Sequence, residues 1–170
     1  KKLQSCSKLN KGAKILLHKV AKPELYGVAK INKGNKILSI KEKPLKFFSD
    51  LAITGLYFFD NKVIKFAKKL KPSKRGEIEI VDLLNLYKNK KELSAELIGR
   101  GGAWLDTGSI EDFYKTSSFV AAIENRQGLK IACLEEIAYM KKWVGKKQIT
   151  DAIKFYGKCD YSIYLKKIIH

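Results

Sequence analysis

An α/β fold with a mixed, mostly parallel sheet flanked by helices is the class this sequence predicts, and three observations carry it. Short β-branched and aromatic runs alternate with segments of helical period, which is the pattern of layered α/β proteins. One run, residues 53–59, is apolar almost throughout, as expected of a strand buried on both faces. The last third of the chain is helical in pattern and carries no strand-like run.

The elements follow in order. Residues 14–20, 27–31 and 36–42 read as strands, the last two joined by the turn formers Asn32-Lys33-Gly34-Asn35. After the 53–59 strand, Asp60 is positioned to cap a short helix over 63–70, which must stop before Pro72. A helix over 79–87 aligns Ile80, Leu83, Leu84 and Tyr87 in one apolar stripe. Residues 93–98 return as a strand. Ala103-Trp104-Leu105 can end another, leaving Asp106 to project from its tip before the tight turn Thr107-Gly108. Ser109 with Asp112 three residues on forms a capping box that opens a helix through 123. After the Gln127-Gly128 break, helices over 134–142, 147–155 and 161–169 cap the sheet or form a subunit contact.

Composition bounds the function. The net charge of +18 suggests a nucleic-acid partner, but only Arg75, Arg100 and Arg126 among 35 basic residues are arginine. The lysines are spread along the chain without an interleaved aromatic pattern, so a solvated lysine surface is the better account. No apolar run is long enough to cross a bilayer and no signal-peptide pattern opens the chain, so a cytoplasmic protein with no membrane partner is expected. Cys6, Cys133 and Cys159 are odd in number and widely spaced, which indicates neither a disulfide framework nor zinc. His18 and His170 have no spaced partner for metal binding or nucleophilic catalysis.

Some side chains carry recognisable chemistry. A carboxylate held at a strand end, as Asp106 is expected to be, suits Mg²⁺, which takes one or two carboxylates and fills its remaining positions with water and phosphate oxygens. In Glu42-Lys43-Pro44 the proline stops the strand beside a carboxylate and an ammonium, a pair suited to sugar hydroxyls and phosphate. Gly27 can let a ligand approach the backbone. Arg75, near a helix start, can grip a phosphate bidentately.

Six segments in order, Tyr26-Gly27-Val28, Glu42-Lys43-Pro44, residues 53–60, residues 71–80, Trp104-Leu105-Asp106-Thr107-Gly108 and residues 124–130, resemble the sugar-nucleotidyltransferase family and within it the glucose-1-phosphate thymidylyltransferases. The resemblance implies a Rossmann-like nucleotidyltransferase fold and Mg²⁺-dependent transfer of a thymidylyl group from dTTP to glucose 1-phosphate, giving dTDP-glucose and pyrophosphate for dTDP-sugar biosynthesis of the rhamnose type. It implies that Tyr26, Gly27, Glu42, Lys43, Ile53, Tyr57 and Arg75 bind substrate, that Lys43, Arg75 and Asp106 are catalytic, and that Asp106 is the metal ligand. Arg100 is implied at a regulatory nucleotide site on a subunit boundary of a homo-oligomer, a homotetramer by resemblance.

The family's glycine-rich phosphate loop and its second metal-binding Asp have no counterpart in these residues. The chain therefore resembles a C-terminal portion, a single partial domain with a sugar-phosphate-binding α/β part over 1–108 and a helical part over 109–170, and by itself is expected to be inactive. The rival expectations are a non-catalytic remnant of such an enzyme and a basic nucleic-acid-binding domain.

Overall fold

The computed structural model describes residues 2–73 and 76–170. The chain divides into two compact units, Lys1–Trp104 and Leu105–His170.

The first unit runs α1 (Lys2–Cys6), β1 (Ala13–Lys19), a 3-10 turn (Pro23–Leu25), β2 (Gly27–Ile31), β3 (Ile37–Glu42), β4 (Leu51–Phe59), α2 (Lys62–Ala67), α3 (Ile80–Asn89) and β5 (Leu93–Leu97). Its five strands lie in the order β3-β2-β4-β1-β5. The sheet is mixed and carries helices, but the expectation of mostly parallel pairing is corrected. Among the described strands β1 pairs with β5 in parallel, while β1–β4, β2–β3 and β2–β4 are antiparallel. For β2–β3 the connection length explains it. Asn32 Oδ1 accepts from the amides of Gly34 (2.9 Å) and Lys36 (3.0 Å), closing a turn too short for anything but an antiparallel return. At one corner the two outer strands meet, where Lys36 bridges Ser94 and the Ala95 amide donates to the Asn35 carbonyl at 3.1 Å.

β4 is not buried along its length, contrary to the sequence expectation. Ala52, Ile53 and Thr54 are buried, but Leu56 is 45% exposed. The cause is a break in register: Ile15 pairs with Tyr57 and Leu17 with Ile53, so one residue of β1 faces three of β4. Gly55 sits in this bulge at φ +78°, which glycine adopts at least cost.

α3 lays Val81, Leu83, Leu84 and Tyr87 on a core that includes Ile15, Leu17 and Ile53. Ile80, expected in the stripe, is 36% exposed because it is the first residue of the helix, and Val81 takes the inward position. Asp60 does more than start a helix. α2 begins at Lys62 with Asn61 at its N-cap, and the Asp60 carboxylate accepts from the Gly12 amide (2.7 Å), the Lys62 amide (3.1 Å) and the Tyr87 hydroxyl (2.8 Å). Burial alone would raise this carboxyl, yet the Gly12, Tyr87 and Lys62 donors outweigh it and hold the group below its ordinary value.

The second unit comprises α4 (Ile110–Gln127), α5 (Leu134–Met140), α6 (Lys146–Tyr156) and α7 (Asp160–Ile169). Ser109 caps α4, its Oγ accepting from the Asp112 amide at 3.0 Å and donating to the Asp112 carboxylate at 2.6 Å. Gly128 ends the helix at φ +67°. Cys133, Ile149, Tyr164 and Leu165 form a small core, and Glu135 accepts from the hydroxyls of Tyr156 (2.7 Å) and Tyr161 (2.5 Å).

Candidate functional site

Strand register assembles most of the expected residues at one edge of the first unit. The β2–β3 ladder sets Gly27 opposite Glu42, and the neighbouring β2–β4 pairing sets Val28 opposite Ala52. A Cβ on Gly27 would lie 2.8 Å from Glu42 Oε2, 3.5 Å from Val81 and 3.7 Å from Ile53 Cδ1. Position 27 therefore has no room for a side chain, because the Glu42 carboxylate of the facing strand packs against it with Val81 and Ile53 close behind. Tyr57, six positions along β4 from Leu51, stacks on Phe59 with centroids 6.0 Å apart. Burial first, and the nearby Glu42 carboxylate second, push its phenol above the ordinary value, so it stays a hydroxyl able to donate.

Lys43 leaves β3 at φ +37°, a left-handed conformation uncommon outside glycine, and its amide donates to the Tyr26 carbonyl at 3.1 Å. The side chain is exposed and follows directly on Glu42. A strained backbone next to a carboxylate, held by a bond to the strand opposite, is the kind of local outlier found at ligand sites.

Tyr26 meets Trp104 edge-on at 5.0 Å, and His18 lies 6.5 Å from the same indole. Trp104 Nε1 donates to the Thr54 carbonyl at 3.1 Å, an acceptor in the bulged stretch of β4. Sequence reasoning gave Trp104 and His18 no role. The signal was available: Gly55 within an apolar strand marks a bulge, and a bulge frees carbonyls that an indole can take.

Gly27, Glu42, Ile53 and Tyr57 thus lie on β2, β3 and β4, with Tyr26 and Lys43 flanking the ends of β2 and β3. Arg75 lies outside the described residues. Arg100 sits on an exposed turn after β5.

Asp106 belongs to the second unit and does not project from a strand end, which corrects the sequence expectation. β5 ends at Leu97, and the glycines that follow turn the chain, with the Gly102 amide donating to the Gly99 carbonyl at 2.9 Å. Asp106 is exposed in an irregular segment, and its Oδ1 accepts from the Thr107 amide at 2.9 Å. Among the described residues no group of three or more His, Cys, Asp or Glu side chains gathers where it could hold a metal ion. Asp106 itself offers an accessible carboxylate, a donor of the kind that suits a Mg²⁺ ion taking few protein ligands and leaving the rest to water and phosphate.

Residues 1–123 match the nucleotidyl transferase family, and the chain belongs to that family. It is 44% identical over 158 residues to the glucose-1-phosphate thymidylyltransferase of Neisseria meningitidis serogroup A, which covers 93% of this chain and 55% of that protein. It is 38% identical over 169 residues to the Mycobacterium tuberculosis enzyme of the same name, covering 99% of this chain and 57% of that one. Among solved structures, a Bacillus anthracis protein assigned as a glucose-1-phosphate thymidylyltransferase, in complex with sucrose, superposes with a TM-score of 0.58 at 38% identity, over 69% of this chain and 46% of that one. A UDP-glucose pyrophosphorylase complexed with UDP-glucose gives a TM-score of 0.57 at 26% identity, over 63% and 43%. The chain spans about half the length of the curated relatives it matches.

Proposed function

We propose that this chain forms the sugar-phosphate-binding half of a glucose-1-phosphate thymidylyltransferase. The observation that carries the reading is the pairing of Gly27 with Glu42 across the β2–β3 ladder, a side-chain-free position facing a carboxylate, with Lys43 next in sequence. A hexose seated there would give its hydroxyls to the Glu42 carboxylate, pack an apolar edge on Ile53, and find the Tyr26 backbone and the Tyr57 hydroxyl within the same wall. Lys43 and Arg75 would hold its phosphate, Arg75 through a planar fork and Lys43 as a point charge.

In the reaction, a phosphate oxygen of glucose 1-phosphate attacks the α-phosphorus of dTTP in line, a new P–O bond forms, and the bond to the departing pyrophosphate breaks. Such a transfer needs no covalent enzyme intermediate, and catalysis is mostly positioning and neutralisation of charge. Asp106 is the residue that would hold Mg²⁺, which when bound supplies charge neutralisation to the nucleotide's phosphates. Arg100 is assigned to a regulatory site on the strength of the resemblance. A place in dTDP-sugar biosynthesis of the rhamnose type, a cytoplasmic location and a homo-oligomeric assembly rest on the same ground.

Two measurements test the reading. Calorimetric titration of this chain with glucose 1-phosphate should show saturable binding that Glu42→Gln weakens. A chimera joining the upstream part of the N. meningitidis relative to this chain should release pyrophosphate from dTTP and glucose 1-phosphate with Mg²⁺. A folded chimera that releases none would overturn the transferase assignment.

A further inference from the structure

In the first unit, a cavity of about 490 Å³ opens between α2 and α3. Its floor is apolar, made by Phe66, Leu70 and Leu86. Phe66 is fixed by an edge-on contact with the buried Tyr87, centroids 4.9 Å apart at 73°, so the floor is continuous with the core. Three lysines, Lys69, Lys71 and Lys90, also line it, against the single acidic residue Asp82. Lys90 leans over the cavity floor, its Nζ 5.9 Å from the Phe66 ring centroid. None of these residues takes part in the sugar-phosphate site proposed above.

The combination selects a ligand class. A volume of this size lies within the roughly 300–1,000 Å³ range of small-molecule sites. The apolar floor asks for an apolar body, since a fully hydrated ion gains nothing from covering Phe66 and Leu86. The excess of positive rim charge asks for an anionic head. Lysines supply point charges without the planar fork of arginine, so the head is chosen by charge rather than by bidentate geometry. We propose that the α2–α3 cavity binds a small organic anion with an apolar body, separately from the sugar-phosphate site.

Asp82 and Leu86, four residues apart, share one face of α3 and Lys90 follows at its C-cap, so substitutions there address the cavity without replacing the buried Val81, Leu84 and Tyr87. The test uses 8-anilinonaphthalene-1-sulfonate as the probe, titrated into the chain and followed by its fluorescence. Lys69→Glu/Lys90→Glu should weaken binding about tenfold, as expected when two partly screened attractions become repulsions. Leu86→Trp, which fills the cavity, should remove the saturable phase. Lys33→Glu, on the turn between β2 and β3, should leave it unchanged. Circular dichroism confirms that each variant is folded. Binding indifferent to Leu86→Trp, or weakened as much by Lys33→Glu, overturns the proposal. Displacement of the probe by decanoate identifies an aliphatic body, and displacement by thymidine 5′-monophosphate a nucleoside body; failure of both to displace it also overturns the proposal. These readouts are independent of nucleotidyl transfer, so this proposal and the transferase reading can fail separately.

Discussion

The carboxylate of Glu42 occupies space that a side chain on Gly27 would need: its Oε2 lies 2.8 Å from the point where a Cβ would stand. The two residues are direct partners across the β2–β3 ladder, so the position of the carboxylate is set by the absence of an atom on the facing strand.

Gly27→Ala should separate folding from binding. Replacing glycine within a strand gains about 0.5–1 kcal/mol of backbone stability, while the contact to be relieved is the tip of a flexible side chain. The melting temperature should therefore hardly move. Affinity for glucose 1-phosphate should fall about tenfold or more as Glu42 is pushed aside, the loss expected when a charged hydrogen bond of about 1.5–3 kcal/mol is misplaced. A calorimetric titration unchanged from the parent chain would remove Gly27 from the site.

Asp106→Asn should act on turnover and leave folding alone. Its side-chain oxygen can still accept from the Thr107 amide, the 2.9 Å bond that fixes the segment, so thermal unfolding should be unchanged. In the Neisseria chimera, pyrophosphate release with Mg²⁺ should fall by about 100-fold or more, because the substitution removes a negative charge from a hard-cation ligand. Near-parental turnover would show that Asp106 does not hold the metal.

Tyr87→Phe should destabilise the first unit by about 1–3 kcal/mol, since it removes a buried donor and leaves the Asp60 carboxylate short of a partner. Its pH dependence carries a sign. Asp60 titrates below its ordinary value of 3.8 in the folded chain, so its contribution is present above that value and is lost as pH falls through the lower folded one. Removing the Tyr87 donor narrows that window. The acid limb of a plot of melting temperature against pH, below about pH 4, should accordingly be shallower in the variant. Parallel limbs would mean that the hydroxyl does not stabilise the ionised Asp60.

Ser109→Ala should cost about 1 kcal/mol by orphaning the Asp112 amide at the start of α4. The loss should appear as a lower unfolding midpoint of the helical signal at 222 nm. Ser109→Asp, which restores an acceptor at the N-cap, should recover it.

Much of this organisation was legible because it is local. The turn at residues 32–35, the strand end at Glu42-Lys43-Pro44 and the Ser109–Asp112 cap each depend on residues a few positions apart. What was missed depends on partners distant in sequence. Periodicity identifies a strand but is silent on the direction of its neighbour, which is why the mostly antiparallel pairing was not foreseen. Apolar content likewise could not show that Gly55 breaks the β1–β4 register and exposes Leu56. Ala103-Trp104-Leu105 has strand-forming residues, yet the Trp104 indole is taken up by the Thr54 carbonyl 50 positions away. Gly27 was expected to let a ligand approach the backbone, whereas the close approach in the structure is made by a carboxylate of the same sheet.

The bridge between Lys36 and Ser94 alters how the first unit can come apart. An open sheet frays from its outermost strands, each able to peel away or to recruit a strand from another molecule. Here the two rims are fastened at one corner, so releasing β3 there also disturbs β5, though they stand at opposite ends of the strand order. The amides near that seam are expected to exchange as part of one cooperative unit rather than as two loose margins. A chain in solution thereby presents less unpaired backbone on which a stray strand could be templated.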